Sequence, residues 1–164
     1  MWAFMLALSI LPPAYAIDTE RHREGDWVVV SAAMRHSPER VKGVLSMHGQ
    51  TMKLGSGVRS VETRPMADGC AHLTVMNRGL ARDLTYTAER CPVVDGWHSK
   101  MIQSSDFVDH QIIWTTVAEG EGSRTTIRVR VKLKVLVPEF LVQQIVGSAL
   151  EQTLERIDSL LDAR

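Results

Sequence analysis

The sequence is poor in the features that announce chemistry. Its two cysteines are not spaced as CxxC, and no cluster of histidines or acids accompanies them, which argues against a metal or redox pair. Six histidines stand at positions 22, 36, 48, 72, 98 and 110, and none forms a His-x-x-x-His or similar ligand spacing. They read as surface residues, and no metal ligand or cofactor site emerges. Ser104-Ser105-Asp106 lacks a partnered base and reads as a strand end or loop. The 19 basic and 19 acidic residues balance, so composition gives no support to nucleic-acid binding. There is no internal repeat, low-complexity tract or linker. No stretch after the first residues is apolar enough to span a bilayer, which takes about 20 residues.

The first residues set an expected compartment. Trp2 to Leu11 is apolar, Pro12-Pro13 breaks the run, and Ala14-Tyr15-Ala16 has the small-x-small pattern of a secretory cleavage site. No Lys or Arg precedes the run. A membrane anchor is the alternative, but the run is short for one. The expected division is a signal peptide over 1–16 and one domain over 17–164, long enough to bury a real core. The protein is then exported, with the periplasm as its expected location.

Cys70 and Cys91 agree with export. The segments around them alternate as a hairpin with a turn near Asn77-Arg78-Gly79. Placing Leu73 opposite Ala88 sets Val75 opposite Tyr86 on one face. The other face then pairs His72 with Glu89, Thr74 with Thr87, and Cys70 with Cys91. One register satisfies the apolar face and brings the cysteines within disulfide reach.

The remaining elements follow from periodicity. Ile17 to His22 and Asp26 to Met34 read as strands. Ser37 is a natural N-cap, with Pro38 at the first helical position and Val41, Val44 and Leu45 on one face. His48 to Gly57 is looser, and Gly55-Ser56-Gly57 should stop any helix. Val58 to Arg64, the cysteine hairpin, Trp97 to Gln103, Gln111 to Ala118 and Arg124 to Val137 read as strands. In the last pair Ile112 falls opposite Val129 and Trp114 opposite Ile127 facing inward, with Gln111 opposite Arg130 and Asp109 opposite Lys132 facing outward. The outward stripe of Arg128, Arg130, Lys132 and Lys134 reads as a solvated face or as an attraction for anionic headgroups.

Pro138 to Asp162 then reads as a helix roughly 35 Å long. Val142, Ile145, Val146, Ala149, Leu150, Thr153, Ile157, Leu160 and Leu161 form its apolar side. Gln144, Ser148, Glu151, Glu155, Asp158 and Asp162 form its polar side. The whole is an α+β chain of about seven strands, with two short helices after the first strand and a long helix at the end.

Three stretches resemble the START-like, or helix-grip (SRPBCC), superfamily, in particular its bacterial polyketide-cyclase and coenzyme-Q-binding-like group. Val28 to Val41 resembles the first strand running into an Ala/Ser-Pro-x-x-Val helix start. Val58-Arg59-Ser60-Val61-Glu62 resembles the strand after the short helices, and Val135-Leu136-Val137-Pro138-Glu139-Phe140 the strand-Pro-helix junction. The resemblance implies a curved antiparallel sheet gripping the C-terminal helix, with an apolar cavity between them. Members include lipid and quinone carriers, aromatic cyclases and co-chaperones, so the fold does not choose the function.

The pocket candidates are Leu73, Val75, Tyr86, Met101, Trp114, Ile127 and Val129 from the sheet, and Val146, Ala149, Leu150 and Thr153 from the helix. Gly147-Ser148-Ala149 either lets the helix approach the sheet or leaves room beneath it. Met34, Met47, Met52 and Met101 suit an adaptable lining as well as gap filling. Three functions stay open: a monomeric carrier of a lipid or quinone-like molecule touching membranes transiently, a cyclase-type enzyme using the same cavity, and a partner-binding module with a filled core.

Overall fold

Alternating apolar residues with few breaks should give long strands sharing one buried face. The computed structural model, which describes residues 17–79 and 81–164, has eight. They are β1 (Thr19–Glu24), β2 (Trp27–Met34), β3 (Val58–Pro65), β4 (Ala71–Asn77), β5 (Leu84–Val93), β6 (Gly96–Ser104), β7 (Phe107–Glu119) and β8 (Gly122–Leu133). They form one antiparallel sheet in the order β1-β2-β8-β7-β6-β5-β4-β3. The expected signal segment, 1–16, lies outside the described residues.

Helices α1 (Pro38–Leu45) and α2 (His48–Lys53) carry the chain from β2 to the opposite edge, and α3 (Glu139–Asp162) closes the fold. Ser37 caps α1 as expected, its hydroxyl accepting from the Arg40 amide. Helix α2 forms inside the looser stretch and ends before Gly55.

The hairpin registers agree with the sequence pattern. Leu73 pairs with Ala88, Val75 with Tyr86, His72 with Glu89 and Thr74 with Thr87. Cys70 and Cys91 are joined in a disulfide. Across β7 and β8, Ile112 faces Val129 and Trp114 faces Ile127.

Two expectations change. The last strand stops at Leu133 instead of Val137, because the Lys134 amide donates to the Asp106 carbonyl and its ammonium to the Ser104 carbonyl. These bonds turn the chain away, leaving Val135 and Leu136 exposed despite their alternation.

The buried face of α3 is also rotated from the expected one. Gly147, Leu150, Thr153, Leu154, Ile157, Asp158 and Leu161 are buried, whereas Ile145 is exposed. The cause is a grip confined to one half of the helix. Its C-terminal half presses Leu154 and Ile157 into the core, and its first turns leave Phe140, Leu141 and Ile145 in solvent. Gly147 is small because Arg21 crosses there: a Cβ would meet the guanidinium carbon at 2.6 Å.

Candidate functional site

Strand pairing assembles the inner face in rows. One row runs Arg90, Ser99, Ile112, Val129, Val28 and Arg23 across β5, β6, β7, β8, β2 and β1. The next runs Trp97, Trp114, Ile127, Val30 and Arg21. Leu73, Ala88 and Met101 make a third. All seven sheet residues expected to line a pocket therefore point inward, and all belong to or pack against one apolar cluster.

The helix candidates divide. Leu150 joins that cluster and Val146 packs against it. Thr153 is buried, its hydroxyl donating to the Ala149 carbonyl at 2.7 Å. Ala149 is half-buried, at the margin of the helix's buried face.

Burial falls off along the inner face. Leu73, Val75, Ala88, Ile127, Leu154 and Ile157 are fully inaccessible. Val28, Val131, Leu133 and Val146, where β2 begins, β8 ends and α3 starts, are half-buried. Beside them an open cleft of about 360 Å³ separates β1 from the first half of α3, lined by Arg21, His22, Arg23, Val28, Phe140, Gln143 and Gln144.

Among the histidines and arginines, three side chains are buried against expectation. His36 and His110 are buried, against the reading of the histidines as surface residues. His110 stacks on Tyr86, with ring centroids 4.2 Å apart, and meets the edge of Phe107 at 5.3 Å. Burial pulls its pKa down to about 4, against the opposing pull of Asp109. Burial also pushes the Tyr86 phenol well above its ordinary range, with the Asn77 side chain opposing. At neutral pH both rings are therefore uncharged. His110 Nδ1, Trp114 Nε1 and Ser99 Oγ are buried without a hydrogen-bond partner among the described residues, a costly condition that a polar ligand atom would relieve.

Arg90 is the third, wholly buried in the same row as Ser99. One guanidinium nitrogen lies 2.7 Å from His48 Nδ1, and another donates at 2.7 Å to the carbonyl of Leu45, the last residue of α1. The guanidinium also lies 5.2 Å from the centroid of the Trp97 ring. Burial lowers its pKa to about 10, so it stays charged, held by a helix C-terminus and a ring face, with its Nε unpartnered among the described residues. Its place is to clamp α1 and α2 onto the sheet.

Ser104, Ser105 and Asp106 form the β6–β7 turn, as the sequence implied. The Ser104 hydroxyl accepts from the Asp106 and Phe107 amides, and the Asp106 carboxylate accepts from the Thr85 amide and Arg82. The outward basic stripe is largely paired, with Arg128 on Glu24 and Arg130 on Asp109.

No family model and no curated protein matches the chain. Solved structures do. A START superfamily protein from Mycobacterium smegmatis superposes with a TM-score of 0.72 at 13% identity, covering 84% of this chain and 97% of that one. The chain has the START-like, helix-grip fold. A STAR-related lipid transfer protein from Xanthomonas axonopodis matches at a TM-score of 0.67 and 16% identity, over 93% of this chain and 97% of its own. The Zhui aromatase/cyclase from a Streptomyces species matches at 0.63 and 8%, over 90% and 93%. At such identities the helix-grip likeness is one of fold, and the site must supply the function.

Proposed function

We propose that the protein binds or carries a hydrophobic small molecule, lipid or quinone-like, between the sheet and α3. One observation carries the reading: an apolar inner face whose side chains pass from inaccessible to half-buried beside the cleft under the first half of α3, with unpartnered neutral polar atoms among them. Pockets for such ligands are mostly apolar with a few oriented polar groups. The similar structures described as lipid transfer and aromatase/cyclase proteins support a hydrophobic ligand in general.

The disulfide fits an oxidising compartment, and we place the carrier in the periplasm as a monomer. Val135, Leu136, Phe140, Leu141 and Ile145 are exposed together at the start of α3. They would rest transiently on a membrane while ligand enters beside them.

A cyclase-type reading has one observation in its favour, the stacked Tyr86–His110 pair. These rings stack without a hydrogen bond between them, and His110 is a weak base with its pKa near 4, so ligand orientation suits them better than proton transfer.

The test is native mass spectrometry of the exported protein with extraction of bound lipid, followed by Val146→Trp. The larger ring would fill the open end at the helix margin. Uptake of a neutral hydrophobic fluorophore should fall at least about tenfold while the melting temperature stays near the parent value, since overpacking at a half-buried position costs less than the 1–3 kcal/mol of a closed core. A parent that carries no ligand and takes up no probe would favour the filled-core module instead.

A further inference from the structure

The inner-face rows end on the edge strand in two arginines, and both face α3. Arg21 is occupied. Its guanidinium makes two parallel bonds to Glu151, at 2.9 and 2.6 Å, and lies against Gly147. Arg23 is held differently. Its Nε donates to the Gly25 carbonyl at 2.6 Å, and its other partner, the Glu139 carboxylate, is 69% exposed. The same Glu139 oxygen that accepts from Arg23 also accepts from Gln143 Nε2 at 3.1 Å. Two donors from two elements thus converge on one carboxylate oxygen at the lip of the cleft. Glu139 also opens α3, and the positive end of a helix favours an anion there. The inward neighbour of Arg23 is Val28, which lines the cleft and leads in its row to Val129 and Ile112.

We infer that Arg23 and Gln143 form a headgroup subsite for a long-chain carboxylate. The ligand's carboxylate takes the place of the solvent-exposed Glu139 side chain, and its chain passes over Val28 into the interior. The inference rests on the hydrophobic-ligand reading and specifies the head that such a ligand carries.

The test uses the mature full-length protein and two probes with one fluorescent chain, cis-parinaric acid and its methyl ester. The wild type should bind the acid more tightly than the ester. Arg23→Gln should weaken acid binding roughly five- to tenfold, the worth of a partly exposed charge-assisted pair, and leave the ester unchanged. Glu139→Gln removes the internal competitor and should tighten acid binding several-fold, again without effect on the ester. An opposite shift in the two variants is not produced by a merely structural Arg23–Glu139 latch, whose loss from either side would act alike. Equal binding of acid and ester in all three proteins would overturn the headgroup subsite and leave hydrophobic binding standing. Binding of neither probe would overturn both. Thermal melts of each variant, expected within about 2 °C of the parent for an exposed pair, separate loss of recognition from loss of fold.

Discussion

The burial of His110 makes the stability of this protein sensitive to mild acid. In the folded chain the imidazole binds a proton only near pH 4, whereas its ordinary value is 6.5. Between these values the unfolded chain binds more protons than the folded one. Stability therefore rises with pH across that window and falls as the solution is acidified through it. At pH 5 the imidazole of the unfolded chain is largely protonated and that of the folded chain largely neutral. At about 1.4 kcal/mol per pH unit below the ordinary value, the loss there is about 2 kcal/mol, growing to about 3 kcal/mol near pH 4.

Other groups titrate in the same range, so the measurement must be a difference. His110→Phe keeps an aromatic ring against Tyr86 and Phe107 and removes the titrating nitrogen. It also removes the buried Nδ1 that lacks a partner, so the variant should be no less stable than the parent at pH 7.5. Urea unfolding of both proteins at pH 7.5 and pH 5 should show the parent losing about 2 kcal/mol more than the variant. An NMR titration should find the His110 ring still neutral at pH 5. An inflection near pH 6.5, or equal acid sensitivity in the two proteins, would refute the assignment of His110 to the closed interior.

Three further outcomes are expected. Asp158 is buried, and its pKa is raised by burial and then by Asp162, against the opposing pulls of His36 and Arg35. The folded chain therefore holds its proton to higher pH than the unfolded one, and stability falls as pH rises from 3.8 toward the folded value. Asp158→Asn should raise the melting temperature at pH 7 and leave it unchanged below pH 3.8, checked by calorimetry at both. Replacing Cys70 and Cys91 together by serine opens a cross-link spanning 21 residues and should lower the unfolding free energy by about 3 kcal/mol; non-reducing peptide mapping of the parent should recover the linked pair. N-terminal sequencing of protein from the cell envelope should begin at Ile17, and a retained Met1 would replace the cleaved signal by an anchor.

Much of the sheet was legible because each register had two independent constraints. In the β4–β5 hairpin the apolar parity and the cysteine pair demanded the same alignment. In β7–β8, alternating inward apolar residues and outward charges did so again. The rotation of α3 was not legible. Counting every apolar residue drew the expected face toward Val142 and Ile145, but exposure at the first turns is decided by where the sheet stops supporting the helix. The end of β8 was hidden for the same reason: Val135 keeps the alternation, while the turn is made by the Lys134 backbone and Asp106.

The buried polar residues escaped for a different reason, which bears on function. Parity did mark them: Arg90 lies two residues beyond Ala88, and His110 two before Ile112, both on the core side. Their polarity argued for the surface, and parity was the stronger signal. Each such residue needs compensation. Arg90 has Leu45, His48 and Trp97, but its Nε, and Asp158 Oδ1 at 3.9 Å from His36, lack a hydrogen-bond partner among the described residues. His110 Nδ1 and Trp114 Nε1 also have no partner among the described residues, and both rings lie on the inner face of β7. A sheet built only to be filled gains nothing from those two nitrogens. A sheet that orients a ligand's oxygen atoms would use them, and extraction of a bound ligand from the exported protein is the measurement that separates carrier from filled core.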